Sequence, residues 1–270
     1  MAIQANDIAF SFGPRFTLAV PRFTAERGEC VGIIGANGSG KSTLLKLLFG
    51  LLPLRQGTIM LDGEPLDSYS WNRRARHMAY VPQSHRPTFA FTVEQTVLMG
   101  RMPYRGMGGG FEETEDIAAA ESAIQLLELE PLRHETITHL SGGELQRVMI
   151  AKALAQSTGT IILDEPNTHL DIGHQLRVLE IVRRHAQDEG LCVVASIHDL
   201  NLASIFSDRL VMMRGGAVTA QGAPADVLRE ELLAETFGAD MVVEPAAYGE
   251  APAIRYRYRR ENHLRNPKHG

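Results

Sequence analysis

The nonapeptide Gly35-Ala36-Asn37-Gly38-Ser39-Gly40-Lys41-Ser42-Thr43 constrains the fold more than any other part of the sequence. It follows a short apolar run, Glu29 to Ile34, and precedes apolar residues at helical spacing. Strand, glycine-rich loop and helix in that order make the G-x-x-x-x-G-K-[ST] pattern a phosphate-binding loop. The glycines let successive backbone NH groups turn inward around a phosphate, and the helix N-terminus adds positive potential. Lys41 is placed to reach terminal phosphate oxygens, and Ser42 to hold the Mg²⁺ that accompanies them. The apolar spacing predicts a helix from Lys41 to Leu52, stopped by Pro53.

A second element completes the constellation. The apolar run Ile161-Ile162-Leu163 ends in Asp164 and Glu165, which puts two carboxylates at the C-terminal edge of a sheet, where open α/β folds place their ligands. Successive strand residues point opposite ways. Asp164 is therefore assigned to the Mg²⁺ shell, and Glu165 to orienting or deprotonating an attacking water. His198 follows another apolar run, Val193 to Ile197, and should emerge at the same edge to polarise water or sense a terminal phosphate. Gln83, just past the strand Met78 to Val81, offers an amide to Mg²⁺ or water.

Around these motifs the periodicity changes twice. Alternating runs at Ile3 to Phe12 and Phe16 to Val20 predict an N-terminal antiparallel β portion, with a turn at Gly13 and Pro14. From about 84 to 157 strand signals give way to helical patterns at Val93 to Met99, Glu115 to Leu129 and Glu144 to Gln156. Gly106 to Gly110 reads as a flexible connection within this insert. Strands return at Thr160 to Leu163 and Cys192 to Ile197, around a helix near His174 to Glu189. Leu210 to Met213 and Ala217 to Ala220 form a hairpin on Gly215 and Gly216. The expected fold is α/β, a P-loop NTPase core with an N-terminal antiparallel β subdomain and an inserted α-helical subdomain. One domain is expected over 1–245, its core in 1–83 and 158–245, followed by a tail at 246–270 with a short strand pair beyond Met241.

Composition narrows the classes. The chain has 270 residues, 44% hydrophobic and 22% charged, enough apolar material for a sizeable core. Cys30 and Cys192 each lie in a strand-like apolar run, which argues against a disulfide framework and for a reducing compartment. Apolar stretches fall short of the ~20 residues that span a bilayer, and the opening MAIQANDIAF lacks a basic, apolar leader. Neither a transmembrane segment nor a signal peptide is expected. The formal net charge of -5 speaks against nucleic acid as a partner. The histidines are scattered, and His169 with His174 lacks metal-ligand spacing. The basic tail from Arg255 to Lys268 reads as solvated.

The segment Leu140-Ser141-Gly142-Gly143-Glu144 opens a helix, and Ser141 with Glu144 has the spacing of a capping box. A cap alone does not explain two adjacent glycines, each of which weakens a helix start by ~1 kcal/mol relative to alanine. Bare backbone NH groups beside a serine hydroxyl suit an approaching anion.

With this segment the chain resembles the ABC ATPase family, whose LSGGQ-type signature binds the nucleotide held by the P-loop of a partner subunit. The motifs stand in family order over nearly the whole chain. Phe12 takes the place of the adenine-stacking aromatic, followed by Gly35 to Thr43, Gln83, Leu140 to Glu144, Asp164 with Glu165, Asp171 and His198. The resemblance implies ATP and Mg²⁺ as cofactors and Glu165 as catalytic base. It implies His198 as switch histidine, Asp171 as a dimer-bridging aspartate, and Ser141 and Gly143 acting in trans. It also implies an ATP-dependent head-to-tail homodimer at the cytoplasmic face of a membrane, with a separate transmembrane permease and, indirectly, a substrate-binding protein.

Three positions depart from the family pattern. Phe12 stands where tyrosine is common, with Phe10 and Phe16 as alternatives for the stacking role; Asn167 replaces a Thr or Ser; Glu144 replaces the commoner Gln. Tyr80-Val81-Pro82-Gln83, Phe91-Thr92-Val93-Glu94, Ser196-Ile197-His198-Asp199-Leu200-Asn201 and Ala220-Gln221-Gly222-Ala223-Pro224 are similar to ATPases of importers for iron-siderophores, haem and cobalamin. An exporter subunit and a soluble ABC protein acting on nucleic acid are the competing readings. The single P-loop, the absence of a heptad run and the negative net charge weigh against the second of these.

Overall fold

The computed structural model describes residues 1–13, 16–84, 87–105, 114–167, 170–245 and 251–257. Gly106 to Gly110, His169 and the tail beyond 257 lie outside the described residues, as does Pro14 of the expected turn.

The chain opens with β1 (Ile3–Ser11), β2 (Thr17–Ala25) and β3 (Cys30–Gly35), then α1 (Lys41–Phe49). Next come β4 (Gln56–Leu61), β5 (Glu64–Pro65), α2 (Trp71–Ala75) and β6 (Met78–Val81). The insert holds α3 (Val93–Leu98), a 3₁₀ segment at Met99–Tyr104, α4 (Thr114–Leu126) and α5 (Gly142–Ala155). The core resumes with β7 (Thr160–Asp164), α6 (Ile172–Glu189), β8 (Cys192–Ser196), α7 (Leu200–Phe206), β9 (Arg209–Arg214) and β10 (Ala217–Gly222). It closes with α8 (Pro224–Val227), α9 (Glu230–Phe237) and a two-stranded sheet of β11 (Met241–Glu244) and β12 (Ala253–Tyr256).

One curled sheet of ten strands, in the order β5-β4-β1-β2-β10-β9-β3-β8-β7-β6, carries the rest. Its β9-β3-β8-β7-β6 half is parallel. The strands β3, β7 and β8 are buried at every residue, which is why they read as unbroken apolar runs rather than as alternation. The β1-β2-β4-β5 half is antiparallel, and in β2 Leu18, Val20 and Phe23 are buried while Thr17 and Ala19 face out. The two halves join through Ala217 of β10 against Ala19 of β2. The N-terminal β portion is thus continuous with the core sheet. One apolar core lies between β1, β2 and α1, and the other between the sheet, the helical insert and α6–α7.

Two local expectations are corrected. The helix after the P-loop ends at Phe49, not Leu52. Gly50 takes φ 82° and its NH caps Leu47, while Leu51 N bonds back to Lys46 O; a left-handed glycine closes a helix before any proline is reached. β2 runs through Pro21 to Ala25 rather than ending at Val20. Its partner β1 carries Asp7 at φ 52° opposite Pro21, and the ladder skips that one pair while keeping its register from Asn6–Arg22 to Ile8–Val20. Proline is tolerated where a ladder is already irregular.

Candidate nucleotide-binding site

The loop between β3 and α1 is set by steric necessity. At Gly35 a Cβ would come within 2.2 Å of the Met213 carbonyl on neighbouring β9. Gly38 and Gly40 have φ of 76° and 105°, and Gly40 occupies the N-cap of α1 without a capping side chain. Among the described residues no side chain caps the first NH groups of α1, the electrostatic condition for an anion. Lys41 is only 6% exposed. Its Nζ donates to Gly35 O at 2.8 Å and Ala36 O at 3.3 Å, so the cation lies back along the loop. Burial pushes its pKa below the ordinary lysine range, against the opposing pull of Glu165 and Asp164.

The two carboxylates behave differently. Asp164 is buried; its Oδ1 accepts from Ser42 Oγ at 2.9 Å and from Ser196 Oγ at 2.7 Å, and its Oδ2 from the Tyr80 hydroxyl at 3.2 Å. The Tyr80 phenol is pushed well above its usual range by burial and by Asp164. Glu165 turns the other way. Its backbone takes φ 51°, its NH donates to Ser196 Oγ at 2.8 Å, and its Oε2 accepts from Gln83 Nε2 at 2.7 Å. Ser42 Oγ and Asp164 Oδ1 are adjacent hard oxygens beside the loop, a donor pair that fits a small divalent cation.

Above these groups opens a cavity of about 350 Å³, lined by Phe12, Phe16, Asn37, Gly38, Gly40, Lys41, Ser42, Thr43, Gln83 and Glu165. Phe12 is 54% exposed and rests edge-on against the buried Phe10, with ring centroids 4.7 Å apart. Phe10 is buried and does not border the cavity, while Phe12 and Phe16, 6.5 Å apart, both do. An aromatic shelf at one side and a cationic loop with acids at the other match a base and a polyphosphate. A groove of about 370 Å³ at the opposite end of α1, lined by Leu47, Leu54, Asp67 and Arg74 among others, has no such loop or acid pair.

The remaining predicted residues lie elsewhere. Ser141 caps α5 with a complete capping box: Glu144 N donates to Ser141 Oγ, and Ser141 N to Glu144 Oε2 at 2.8 Å. Ser141 and Gly142 are exposed, Gly143 and Glu144 partly so, and none of the four borders the cavity of its own chain. Asp171 is the N-cap of α6, accepting from His174 N, and its Oδ2 lies 2.9 Å from His174 Nδ1. His198 is exposed two residues past β8 and does not line the cavity. Ser39 sits beneath the loop, its buried hydroxyl without a hydrogen-bond partner among the described residues.

Family comparison decides what this arrangement belongs to. The model of the family described as ABC transporter matches residues 18–168. The petrobactin import ATP-binding protein FpuC of Bacillus anthracis is 36% identical over 239 residues, covering 88% of each chain. The chain belongs to the ABC transporter family. The hemin import ATP-binding protein HmuV of Pseudomonas fluorescens is 39% identical over 247 residues, 90% of this ABC ATPase and 94% of its own length. Among solved structures, a chain of an inward-facing ABC transporter assigned to the metal-chelate type is 28% identical. It superposes with a TM-score of 0.81 over 95% of this chain and 96% of its own. A bacterial ABC transporter cassette solved as a dimer, 26% identical, gives 0.71 over 82% and 98%. As an ABC ATPase, the chain binds and hydrolyses ATP.

Two residues of this ABC ATPase site carry more than the sequence motifs assign to them. Ser196 lies opposite Asp164 in the β7–β8 register and bonds both the Asp164 carboxylate and the Glu165 NH. Tyr80, on β6, reaches the other oxygen of Asp164. The available signal is a polar side chain at the end of an otherwise apolar parallel strand.

Proposed function

We propose that this chain is the ATP-hydrolysing motor of an importer for a metal chelate, an iron-siderophore complex foremost with haem and cobalamin as related cargoes. It would act from the cytoplasmic face of the membrane through a separate permease. The observation that carries the reading is an incomplete cage. Lys41, Ser42, Asp164 and Glu165 stand ready in cis, while the glycine-opened N-terminus of α5 is exposed and absent from the cavity of its own chain. A head-to-tail pair of copies supplies each cavity with the other's Ser141, Gly142, Gly143 and Glu144, and Asp171 sits at the seam between them. The names of the relatives, petrobactin import and hemin import ATP-binding proteins, support cargo and direction. No helix among the described residues is long and apolar enough to cross a membrane, in keeping with a peripheral subunit.

In this reading Phe12 stacks the adenine. The NH groups of Gly38, Gly40, Lys41, Ser42 and Thr43 hold the phosphates, with Gly35, Asn37 and Ser39 shaping the loop. Lys41 leaves the loop carbonyls for phosphate oxygens when nucleotide enters, recovering in charge pairing what burial costs it. Ser42 and Asp164, with Gln83 nearby, would hold Mg²⁺, which supplies charge neutralisation between the phosphates. Glu165 takes the proton of the attacking water, Gln83 aims its carboxylate, and His198 contacts the terminal phosphate to report its loss.

The test is reconstitution of the full complex with permease and binding protein in lipid vesicles, with ATP turnover followed while iron-siderophore, haem and cobalamin are added in turn. Stimulation by one of them is expected. Steady turnover indifferent to all three would remove the import assignment and leave the ATPase.

A further inference from the structure

The segment Ser196-Ile197-His198-Asp199-Leu200-Asn201 ends in a residue to which the nucleotide site gives no part. Asn201 lies in the first turn of α7, three positions past His198, and does not border the cavity. Its carboxamide is committed to the C-terminal strands instead. Nδ2 donates to Ile254 O at 3.1 Å, and Oδ1 accepts from Ile254 N at 2.7 Å. One turn on, Ser204, only 2% exposed, donates its hydroxyl to Pro252 O at 2.7 Å. A carboxamide both donates and accepts, so Asn201 holds Ile254 as a neighbouring strand would.

The strand pair is anchored along its other edge as well. Val243 of β11 faces Ile254 across the ladder, and in antiparallel pairing the residues that do not bond each other turn their NH and carbonyl groups outward. The outward NH of Val243 goes to Oε1 of Glu230, the first residue of α9, at 3.2 Å. That helix is fixed in turn to β9, where Thr236 Oγ1 donates to Met212 Sδ at 3.0 Å and Arg214 Nη1 to Glu235 O at 3.0 Å. The β11–β12 pair thus bridges from α9, seated on the core sheet, to α7.

Seven residues are too few for a helix to support itself in water, so α7 takes its position from what grips it. Leu202, Ala203 and Phe206 are buried in the core, and Arg183 of α6 bonds the carbonyls of Ile205 and Phe206 at the C-terminal end. Nearer the N-terminal end the polar ties are Asn201 and Ser204. No hydrogen bond to another described residue fixes the His198 imidazole. Its place is inherited from the chain on both sides: Ile197, whose NH bonds Ile33 O at 3.0 Å, and the turn capped by Asp199. We infer that Asn201 and Ser204 are positioning residues, through which the C-terminal strand pair holds the head of α7 and with it His198. This rests on the assignment of His198 to the terminal phosphate. The C-terminal strands thereby act on turnover from outside the nucleotide cavity, by steadying the turn from which the imidazole extends.

The experiment uses the full chain and compares Asn201→Ala, Ser204→Ala, His198→Ala and the double variant of Asn201→Ala with His198→Ala. Alanine is the stronger helix former at 201 and 204, so α7 keeps its helix and loses only its ties. Steady-state kinetics give kcat and KM for MgATP, and single turnovers with enzyme in excess keep slow rates measurable. Since misplacing a group by about 1 Å can cost on the order of 10²-fold, a loosened His198 is expected to lower kcat about tenfold in Asn201→Ala and about threefold in Ser204→Ala, with KM within about twofold. In the His198→Ala background, Asn201→Ala is expected to change kcat by less than about twofold, because the group it positions is gone. An unchanged kcat in both single variants, or a loss that multiplies with that of His198→Ala as a general weakening of the fold would give, overturns the inference. His198→Ala alone separates the two claims: retained turnover there removes the phosphate assignment itself, while lost turnover with a multiplying Asn201→Ala effect removes only the positioning role.

Discussion

The carboxamide of Gln83 donates a 2.7 Å hydrogen bond to Oε2 of Glu165, tying the segment that leads into the helical insert to the residue that follows β7. Any displacement of the insert pulls on the acid. A hydrogen bond to a charged group contributes ~1.5–3 kcal/mol, so Gln83→Ala is expected to slow ATP turnover by about tenfold or more. Glu165→Gln, which removes the proposed base, is expected to slow it by roughly 10²–10⁴-fold and to leave a stable dimer in MgATP. Steady-state kinetics and size-exclusion chromatography check both; a monomer at saturating MgATP contradicts the second.

Arg101 and Asp116 form an ion pair at 2.7 Å in which both side chains are 5% exposed. Removing one partner of such a pair leaves a buried uncompensated charge, at about 3–5 kcal/mol. Asp116→Ala should therefore lower the thermal midpoint sharply, whereas Arg101→Met combined with Asp116→Leu should recover most of the loss. Calorimetry on the three proteins decides, and a double variant as unstable as Asp116→Ala would show that the pair contributes more than mutual neutralisation.

The capping box of α5 separates folding from nucleotide chemistry. Ser141→Ala removes an acceptor worth about 1 kcal/mol to the helix, a fall of roughly 2–4 °C in midpoint for a chain of this size. Glu144→Gln keeps the reciprocal bond to Ser141 N and should leave the midpoint unchanged. If Ser141 also meets nucleotide in trans, its alanine variant loses MgATP-induced dimerisation well beyond what that small loss of stability explains.

Cys30 and Cys192 are buried free thiols, each pushed up to about 12 from a reference of 9.0, first of all by desolvation. In the folded chain they hold their protons across a pH range in which the unfolded chain has released them. Stability from this source is intact below pH 9 and declines as pH rises towards 12, because there the folded state binds more protons than the unfolded one. The midpoint of the native chain should fall more steeply over that window than that of a Cys30→Ala, Cys192→Ala variant. A thiol reagent at pH 8 should label neither cysteine until denaturant is added.

Much of this was legible because the motifs are local. The P-loop, Asp164 with Glu165, and the Ser141 cap each occupy a few consecutive residues, and their backbone preferences announce them. The unbroken apolar runs of β3, β7 and β8 likewise mark strands buried on both faces. What stayed hidden depends on pairing at long range. Ser196 meets Asp164 only through the β7–β8 register, 32 positions apart, and Tyr80 reaches it across 84. Helices α8 and α9 escaped notice, being short and packed by tertiary contact rather than marked by long periodicity. The overlong expectation for α1 came from weighting Pro53 over Gly50, whose left-handed turn acts first.

Glu165 holds its left-handed backbone at φ 51°, a conformation that disfavours any residue with a Cβ by ~1–2 kcal/mol relative to glycine. A glycine there would relax the chain while deleting the carboxylate. The most heat-resistant single substitution at this position is thus expected to be a dead one, and a screen that ranks variants by melting temperature alone would select for idle motors.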